Sequence, residues 1–428
     1  MSYRISKFGM EKLGYHAEIF PGYAFESHRF TDDPSGVALV KGDNLQQGFI
    51  DWTAAKYWPA EDAEERQKFE LRAGDVVLAM DRPWVTAGLK WAHIKKHDPK
   101  CLLVQRISRL RSKNGLDQTF LRCVISSRYF SDYIQPIVTG VNVPHISGKQ
   151  IGDFKIPLPS AAVQRKIAAI VSAYDELIEN NKRRISLLEK LAEEIYREWF
   201  VRLRFPGHEN VKRVSGIPQG WHVAELRELA AINPSSISRR DKPETILYID
   251  ISSVSTNRIN EVTLYEANEA PGRARRQVKH GDIIWSSVRP SNRAYCLIYE
   301  PPENLIVSTG FAVIRPNAAT PFTFLFFAVT SNPFVDQMTV VARGAAYPAT
   351  SFDDFEKAKV LAPSASLMAR FHEEIEPLFR QKHLLSLQTD HLVATRDILL
   401  PRLISGKLPV ENLNIQFPPG MTEDLITN

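Results

Sequence analysis

One stretch of this 428-residue sequence decides its architecture: AAVQRKIAAIVSAYDELIENNKRRISLLEKLAEEIYREWFVRLR, residues 161–204. No proline or glycine interrupts it, and Ser160 precedes it as a candidate N-cap. Apolar residues recur at alternating spacings of three and four, the pattern of a coiled-coil seam. The seam positions are Ile167, Val171, Tyr174, Ile178, Ile185, Leu188, Ala192, Ile195 and Trp199, with Asn181 in the one gap. At 1.5 Å per residue the helix would span roughly 66 Å, more than a surface helix of a compact domain usually needs.

A second pattern of this kind follows Pro363-Ser364. The positions 204 residues after the first seam are Phe371, Ile375, Leu378, Lys382, Leu385, Thr389, Leu392, Arg396, Leu399 and Leu403. Three of them, Lys382, Thr389 and Arg396, are polar and weaken the seam. We expect Pro377 to kink this helix and Pro401 to bend or end it. The two seams together predict two long helices that pair as an antiparallel coiled coil.

The rest of the chain repeats itself with a period slightly above two hundred residues. VALVKGDNL (37–45) aligns with ILYIDISSV (246–254), and RAGDVV (72–77) aligns with KHGDII (279–284). Arg82-Pro83 aligns with Arg289-Pro290, and the segment from Gly140 to Ala161 aligns with that from Gly344 to Ala365. Because these matches are collinear, they predict a duplicated domain.

Each copy contains short β-like runs separated by Gly, Pro, Asn and Asp, which predicts a mixed or mainly β domain. The predicted fold class is therefore α+β, with two similar globular domains, two long helices and an internal pseudo-twofold. The predicted boundaries are globular domains at 1–159 and 206–363, long helices at 160–205 and 364–410, and a tail at 411–428.

Composition excludes several classes of protein. Apolar residues make up 44% and charged residues 24%, as in an ordinary folded protein. The three cysteines form no Cys-x-x-Cys pair, which argues against a disulfide framework and favours a reducing, cytoplasmic compartment. We find no signal peptide and no stretch of eighteen apolar residues, so no membrane association is predicted. The net charge of +5 permits a nucleic-acid partner without requiring one.

Catalytic motifs are missing from the sequence. It contains neither a Walker A loop nor a Gly-x-Gly-x-x-Gly after a strand. Asn332-Pro333-Phe334 is one proline short of the amino-methyltransferase motif and is interpreted as a turn, and Asp153-Phe154-Lys155 lacks the acidic partner of a nuclease core. His93 and His97 have metal-ligand spacing, but two lysines between them favour a solvated basic turn. We therefore predict no catalytic residue, no metal site and no cofactor.

Several segments resemble the specificity subunits of type I restriction–modification systems. Residues 162–171, 180–190 and 196–208 resemble their central conserved region, and residues 376–379 and 399–408 their C-terminal conserved region. Residues 22–30 and 155–159 resemble the opening and closing of a target recognition domain. The junction at 360–364 departs from the usual form, which loosens that boundary.

The resemblance implies a function. Each target recognition domain would read one half of a bipartite sequence in double-stranded DNA. The helices would set the spacing between the halves and dock methyltransferase (modification) subunits, and through them restriction subunits. The methyltransferase subunits would carry the S-adenosylmethionine chemistry, so the specificity subunit itself would have no active site.

Candidate DNA contacts come from polar and basic loops at matching places in the two copies. They are Arg82, Trp84, Lys90, Asn142, Arg289, Ser291, Asn292, Arg293, Arg343 and Tyr347. The alternative is that these are solvated or structural turn residues, and that the repeated Arg-Pro pair is a shared feature of the fold. The cluster Arg273, Arg275 and Arg276 would face phosphates or solvent.

Two other functions stay open at this point. The chain could be a methyltransferase or nuclease with its own recognition domain, or a coiled-coil scaffold that never meets DNA.

Overall fold

A computed structural model describes residues 6–85, 88–137, 144–238, 243–345 and 347–418. They form two compact units: unit 1 lies within Met1–Asn180 and Gln388–Asn428, and unit 2 is Asn181–Leu387. The α-helices are α1 Leu13–His16, α2 Ala60–Ala63, α3 Gln118–Ser126, α4 Arg128–Ile134, α5 Gly148–Gly152, α6 Ala161–Tyr196, α7 Leu226–Leu229, α8 Phe322–Thr330, α9 Asn332–Val341, α10 Phe352–Lys357 and α11 Ala365–Ile404. The long helices α6 and α11 each contribute residues to both units.

Unit 1 contains two main sheets. Its strands are β1 Met10–Lys12, β2 Ala17–Pro21, β3 Val37–Val40, β4 Tyr57–Trp58, β5 Val76–Ala79, β6 Trp84–Val85, β7 Gly88–Leu89, β8 Trp91–His93, β9 Cys101–Leu103, β10 Ile107–Ser112 and β11 Lys155–Pro157. One sheet has the order β2-β10-β5-β8, and the other has the order β4-β3-β9, in which β3 and β9 are parallel.

Unit 2 repeats this plan. Its strands are β12 Arg213–Val214, β13 Ile217–Pro218, β14 His222–Glu225, β15 Ala230–Ile232, β16 Thr245–Ile249, β17 Val254–Ser255, β18 Arg258–Ile259, β19 Thr263–Glu266, β20 Ala274–Gln277, β21 Ile283–Ser286, β22 Tyr295–Leu297, β23 Leu305–Ser308, β24 Phe311–Pro316 and β25 Lys359–Ala362. The sheet orders are β15-β24-β21-β22 and β19-β16-β23-β20, again with one parallel pair, β16 and β23.

The inner strand β5 is apolar throughout, and β21 is apolar from Ile283 to Trp285, because both faces of each strand are covered. In unit 1, Val76 and Leu78 pack with the helices, while Val77 and Ala79 pack against the second sheet. In unit 2, Ile283 and Trp285 face the helices, and Ile284 between them faces the second sheet. Successive side chains of a strand point to opposite faces, so a strand buried on both sides needs an unbroken apolar run.

The Gly-Asp pair before each inner strand forms the predicted turn. Gly74 and Gly281 have φ values of +92° and +85°, a left-handed conformation that glycine adopts without strain. The carboxylates of Asp75 and Asp282 accept the backbone N–H three residues earlier, at 2.8 and 2.7 Å. These identical turns confirm that the chain contains two similar domains.

The same two buried aspartates each hold the guanidinium of a half-buried arginine. Arg111 donates to Asp75 at 2.5 and 2.8 Å, and Arg315 donates to Asp282 at 2.8 and 2.6 Å. Asp75 and Asp282 are only 4% and 1% exposed, so the paired guanidinium is what makes their burial tolerable.

The long helices run antiparallel within each unit, as the seams predicted. In unit 1, Ile167 packs in the same cluster as Ile404, and Arg396 donates to Asp175 at 2.9 Å. Every predicted seam position is buried or half-buried.

In unit 2, Lys382 pairs with Glu189 at 2.6 Å. The interpretation that Lys382 and Arg396 merely weaken the seam was therefore incomplete, because each reaches a carboxylate on the facing helix. Thr389 is buried within the seam.

Pro401 does not end the second long helix, because α11 runs to Ile404, and α11 also continues through Pro377. The predicted kink at Pro377 and the bend at Pro401 stay predictions. One local prediction was wrong. Asn332 is not in a free turn: it opens α9, with Ser331 as N-cap and Pro333 in the first turn, where proline's missing N–H costs nothing. The helices α3, α4, α8 and α9 inside the β-rich domains were also not predicted.

Candidate nucleic-acid interface

An arginine elbow follows the inner strand of each unit. Arg82 and Arg289 have φ values of +44° and +48°, a conformation that is uncommon for residues other than glycine. The backbone N–H of Arg82 donates to the carbonyl of Pro144 at 2.8 Å, and that of Arg289 donates to the carbonyl of Pro348 at 2.7 Å. Both arginine side chains are exposed, so matching bonds in the two units present a cation at the same point of the fold.

A second backbone bond fixes the neighbouring loop against each elbow. The N–H of Ile146 donates to the carbonyl of Met80, and the N–H of Thr350 donates to the carbonyl of Ser287, both at 2.8 Å. Each loop then enters a short helix through a serine capping box, Ser147 at α5 and Ser351 at α10. The elbow and the loop before the short helix are therefore brought together in both units.

Unit 1 surrounds its elbow with charged groups. The Asp81 carboxylate contacts His145 Nδ1 at 2.5 Å and Arg106 Nε at 3.2 Å. The Lys90 ammonium donates to the Gly42 carbonyl at 2.9 Å, and this hydrogen bond holds the lysine side chain in place.

The other unit 1 candidates are less clearly placed for contact. Trp84 is half-buried and packs against the apolar core, which favours a structural role. Asn142 lies outside the residues that the structure describes.

In unit 2 an aromatic ring lies beside the elbow. The Arg289 guanidinium lies 5.1 Å from the ring centroid of Tyr347, which is 60% exposed. The backbone of Arg343 exchanges two hydrogen bonds of 2.9 Å with Ala349, and its guanidinium lies 3.7 Å from Asp354.

The three remaining candidates follow Arg289 directly. Ser291 and Asn292 are exposed on the 3-10 turn Pro290–Asn292. Arg293 ends this turn with φ +54°, and its carbonyl accepts the hydroxyl of Thr256 at 3.0 Å. The backbone of Arg293 is thus structural, while Ser291 and Asn292 present polar side chains outward.

A cleft of about 450 Å³ lies beside the unit 2 elbow and was not predicted from the sequence. It is lined by Ile251, Arg273, Val288, Thr309, Gly310 and Tyr347. Five separate segments supply these residues, so no spacing in the sequence could indicate the cleft. Of them, Tyr347 was a candidate, and Arg273 was interpreted only as facing phosphate or solvent.

The interpretation of His93 as part of a solvated basic turn was wrong. His93 lies on strand β8, and its ring is 3.4 Å from Arg122. Burial lowers the pKa of His93 to about 3, so its ring is neutral at pH 7. Among the described residues, no three His, Cys, Asp or Glu side chains are grouped so that they could hold a metal ion.

The three cysteines are buried thiols. Burial raises the pKa of Cys101 and of Cys123 to about 12 and that of Cys296 to about 11. They are therefore protonated at neutral pH, the form that binds metals poorly. No helix in the described part of the chain has both the length and the apolar character needed to cross a bilayer.

Comparison with known proteins gives one consistent result. Residues 35–190 match the family described as type I restriction modification DNA specificity domain. The chain is 25% identical, over 316 residues, to the type I restriction enzyme MjaIX specificity subunit of Methanocaldococcus jannaschii, a match that covers 70% of this chain and 71% of that protein. It is 33% identical over 169 residues to the EcoAI specificity subunit of Escherichia coli, covering 39% of this chain and 28% of that one.

A solved structure has the same fold. The S subunit of a type I restriction–modification system from M. genitalium aligns with a TM-score of 0.58 at 17% sequence identity, over 94% of this chain and 97% of that one. The likeness is one of fold, with two long helices and two strand-rich domains in the present chain.

Proposed function

We propose that this chain, which belongs to the family of type I restriction–modification DNA specificity subunits, recognises a bipartite sequence in double-stranded DNA, one half with each unit. Phosphate contacts would position each unit on the duplex, and base contacts would select the sequence. The candidate contacts are the exposed side chains at the two elbows and their neighbouring loops.

The repeated arginine elbow is the observation that carries this proposal. Arg82 and Arg289 are presented by the same two backbone bonds, while the side chains around them differ between the units. The elbows have the same backbone arrangement but different neighbouring side chains. This suits two domains that approach DNA in the same way and bind different sequences. A cationic turn with an uncommon backbone conformation, exposed in both copies, favours this function over that of a scaffold that never meets DNA.

The remaining parts of the proposal concern partners. The long helices would set the distance between the two half-sites and dock the methyltransferase subunits, which would bring restriction subunits into the complex. Methyl transfer and cleavage would belong to those partners, and we assign no catalytic residue to this chain. Three protonated, buried thiols suit a reducing compartment, so we place the complex in the cytoplasm.

The elbows can be tested one at a time in the complex reconstituted with its methyltransferase subunits. Arg82→Ala and Arg289→Ala should each weaken DNA binding about tenfold, and each should relax the sequence of a different half-site. Arg128→Ala, an exposed arginine of unit 1, and Arg227→Ala, one of unit 2, serve as controls. Mapping of methylated sites gives the sequence read. Loss of both halves with either variant, or of neither, would contradict the proposal.

The spacer role requires a separate experiment. Four residues would be inserted after Leu188 and four more after Lys382, opposite it on the facing helix. The insertion rotates a helix by about 40° beyond one full turn, close to the roughly 35° between neighbouring base pairs. We expect the gap between the half-sites to lengthen by one base pair while both half-sequences stay unchanged. An unchanged gap would show that these helices do not set the spacing.

A further inference from the structure

The cleft beside the unit 2 elbow allows a more specific statement, which rests on the function proposed above. We propose that this cleft takes the 5-methyl group of a thymine in the major groove, in the half-site read by unit 2. Among base pairs, only those that contain thymine present an apolar group on this edge.

Part of the lining of the cleft is apolar, and we call this part its floor. Ile251 and Val288 supply it, and Gly310 leaves the Ile251 side chain in place, because a Cβ at Gly310 would lie 2.8 Å from Ile251 Cδ1. A phosphate oxygen placed on this floor would lose hydration without gaining a hydrogen bond there. A methyl group loses nothing by leaving water and gains contact with two branched side chains.

A polar residue that lines the cleft, Arg273, could contact the base next to the thymine. Arg273 is exposed, and no hydrogen bond or ion pair engages its guanidinium among the described residues, while its carbonyl accepts the Thr309 N–H at 2.9 Å. The backbone is thus fixed and the cation is available. A guanidinium in this position can donate two hydrogen bonds to a guanine edge next to the thymine.

Tyr347, another lining residue, is ordered in advance. Its ring lies under the guanidinium of Arg289, and the Arg289 backbone N–H donates to the carbonyl of Pro348. Two cations are therefore associated with the cleft, because Arg273 lines it and Arg289 stacks on its lining residue Tyr347. This charge complements the phosphates on both sides of a base pair whose edge enters the cleft.

Uracil provides the sharpest probe, because it lacks only the methyl group. The reconstituted complex would be titrated with duplexes of its own target in which each thymine, on either strand, is replaced in turn by deoxyuridine. We expect one position, in the half-site that Arg289→Ala relaxes, to bind about fourfold more weakly, the effect of one buried methyl group. Replacements in the other half-site should not reproduce this effect at an equivalent position.

Variants of the floor then connect that position with the cleft. Val288→Ala should remove most of the difference between the thymine and uracil duplexes, and Leu264→Ala, which shortens an exposed side chain elsewhere in unit 2, should leave it unchanged. Arg273→Ala should relax the base next to the sensitive thymine.

Failure of this inference and failure of the proposed function give different results. A wild-type complex that binds no specific DNA would refute the proposed function. A complex that reads its target but is indifferent to every uracil would refute only the thymine assignment. The assignment would also be wrong if the half-site contains no thymine, or if Val288→Ala keeps the full difference.

Discussion

Units 1 and 2 place opposite chemistry at one position of the same scaffold. Beside the elbow of unit 1 lies Asp81, in contact with Arg106 and His145. The residues at the equivalent positions of unit 2 are Val288, Gly310 and Ala349, none of which carries a charge. The backbone bonds that position these residues are the same in both units, for example Met80 N–H to the Arg106 carbonyl and Ser287 N–H to the Gly310 carbonyl.

The comparison separates the residues that build each domain from the side chains that we expect to select its DNA sequence. Backbone hydrogen bonds, the Gly-Asp turn and the arginine paired with its aspartate are common to both units. The side chains that these bonds leave free have diverged from an ion-paired cluster to an apolar cleft. We expect replacements at such positions to change the target sequence without changing the fold, because no backbone bond depends on them.

The strongest test of the common part removes the buried aspartates. Asp75→Ala and Asp282→Ala each take the carboxylate from a half-buried arginine and from a backbone N–H. Each should lower the free energy of unfolding of its own unit by about 3 kcal/mol, because charged hydrogen bonds are lost. Denaturant unfolding with probes in each unit measures this cost, and Asp353→Ala, at an exposed pair, should cost less than about 1 kcal/mol. Markedly unequal costs at Asp75 and Asp282 would break the equivalence of the two units.

The two prolines of the second long helix provide a smaller effect of opposite sign. Pro377 belongs to unit 2 and lies in the middle of α11, whereas Pro401 belongs to unit 1 and lies in its last turn. Because an interior proline costs up to about 3 kcal/mol relative to alanine, Pro377→Ala should stabilise unit 2 by about 1–3 kcal/mol. Pro401→Ala should gain less, since the last turn of a helix is less constrained. Thermal unfolding of both variants measures these changes in stability. A loss of stability with Pro377→Ala would mean that the packing of the proline ring stabilises unit 2 by more than the helix loses.

Acid should destabilise unit 1 by about 2 kcal/mol through one buried histidine. Burial and the nearby Arg122 lower the pKa of His93 in folded unit 1 to about 3, while the unfolded chain takes up a proton near 6.5. Between these values the unfolded state binds more protons, so stability is complete above pH 6.5 and falls as the pH decreases. At pH 5 unit 1 should have lost about 2 kcal/mol through this one group.

His93→Gln provides the control for the acid effect, because glutamine does not titrate. The variant should lose this part of the difference between pH 7 and pH 5. In unit 2, burial also lowers the pKa of His372, so unit 2 should weaken in the same direction. A wild-type unit 1 that is equally stable at both pH values would contradict the assignment to His93.

Sequence periodicity predicted the parts of this fold that repeat. The seam spacing predicted helices at 160–205 and 364–410, and the structure has them at Ala161–Tyr196 and Ala365–Ile404. The offset of 207 residues paired Arg82 with Arg289, which share the same backbone hydrogen bond. Repeats and heptads are visible in a sequence because one physical constraint acts at many positions.

What the sequence could not predict depends on contacts between distant segments. Helix α8, FTFLFFAVT, is apolar on all faces because it is buried all around, so it shows no helical period. The polar seam residues Lys382 and Arg396 become favourable only when the partner helix places a carboxylate opposite them. The cleft requires Ile251, Arg273 and Tyr347 to meet, and nothing local to any of these residues indicates that they do.

The smallest expected effect tests the comparison most directly, by giving unit 1 the chemistry of unit 2. In the double variant Asp81→Val, His145→Ala, the ion-paired cluster is replaced by the residues found at Val288 and Ala349. The elbow should persist, because Arg82 is held by the Pro144 carbonyl and not by either replaced side chain. The half-site of unit 1 should lose discrimination at one base pair by about tenfold, within the range of a single base contact. The other half-site should be unchanged, which mapping of methylated sites would reveal. The single variant His145→Ala, which leaves Asp81 with Arg106, is the matched control and should shift the preference less. If the double variant altered both halves, or altered neither while DNA binding persisted, the side chains beside the elbow would not be the ones that select the sequence.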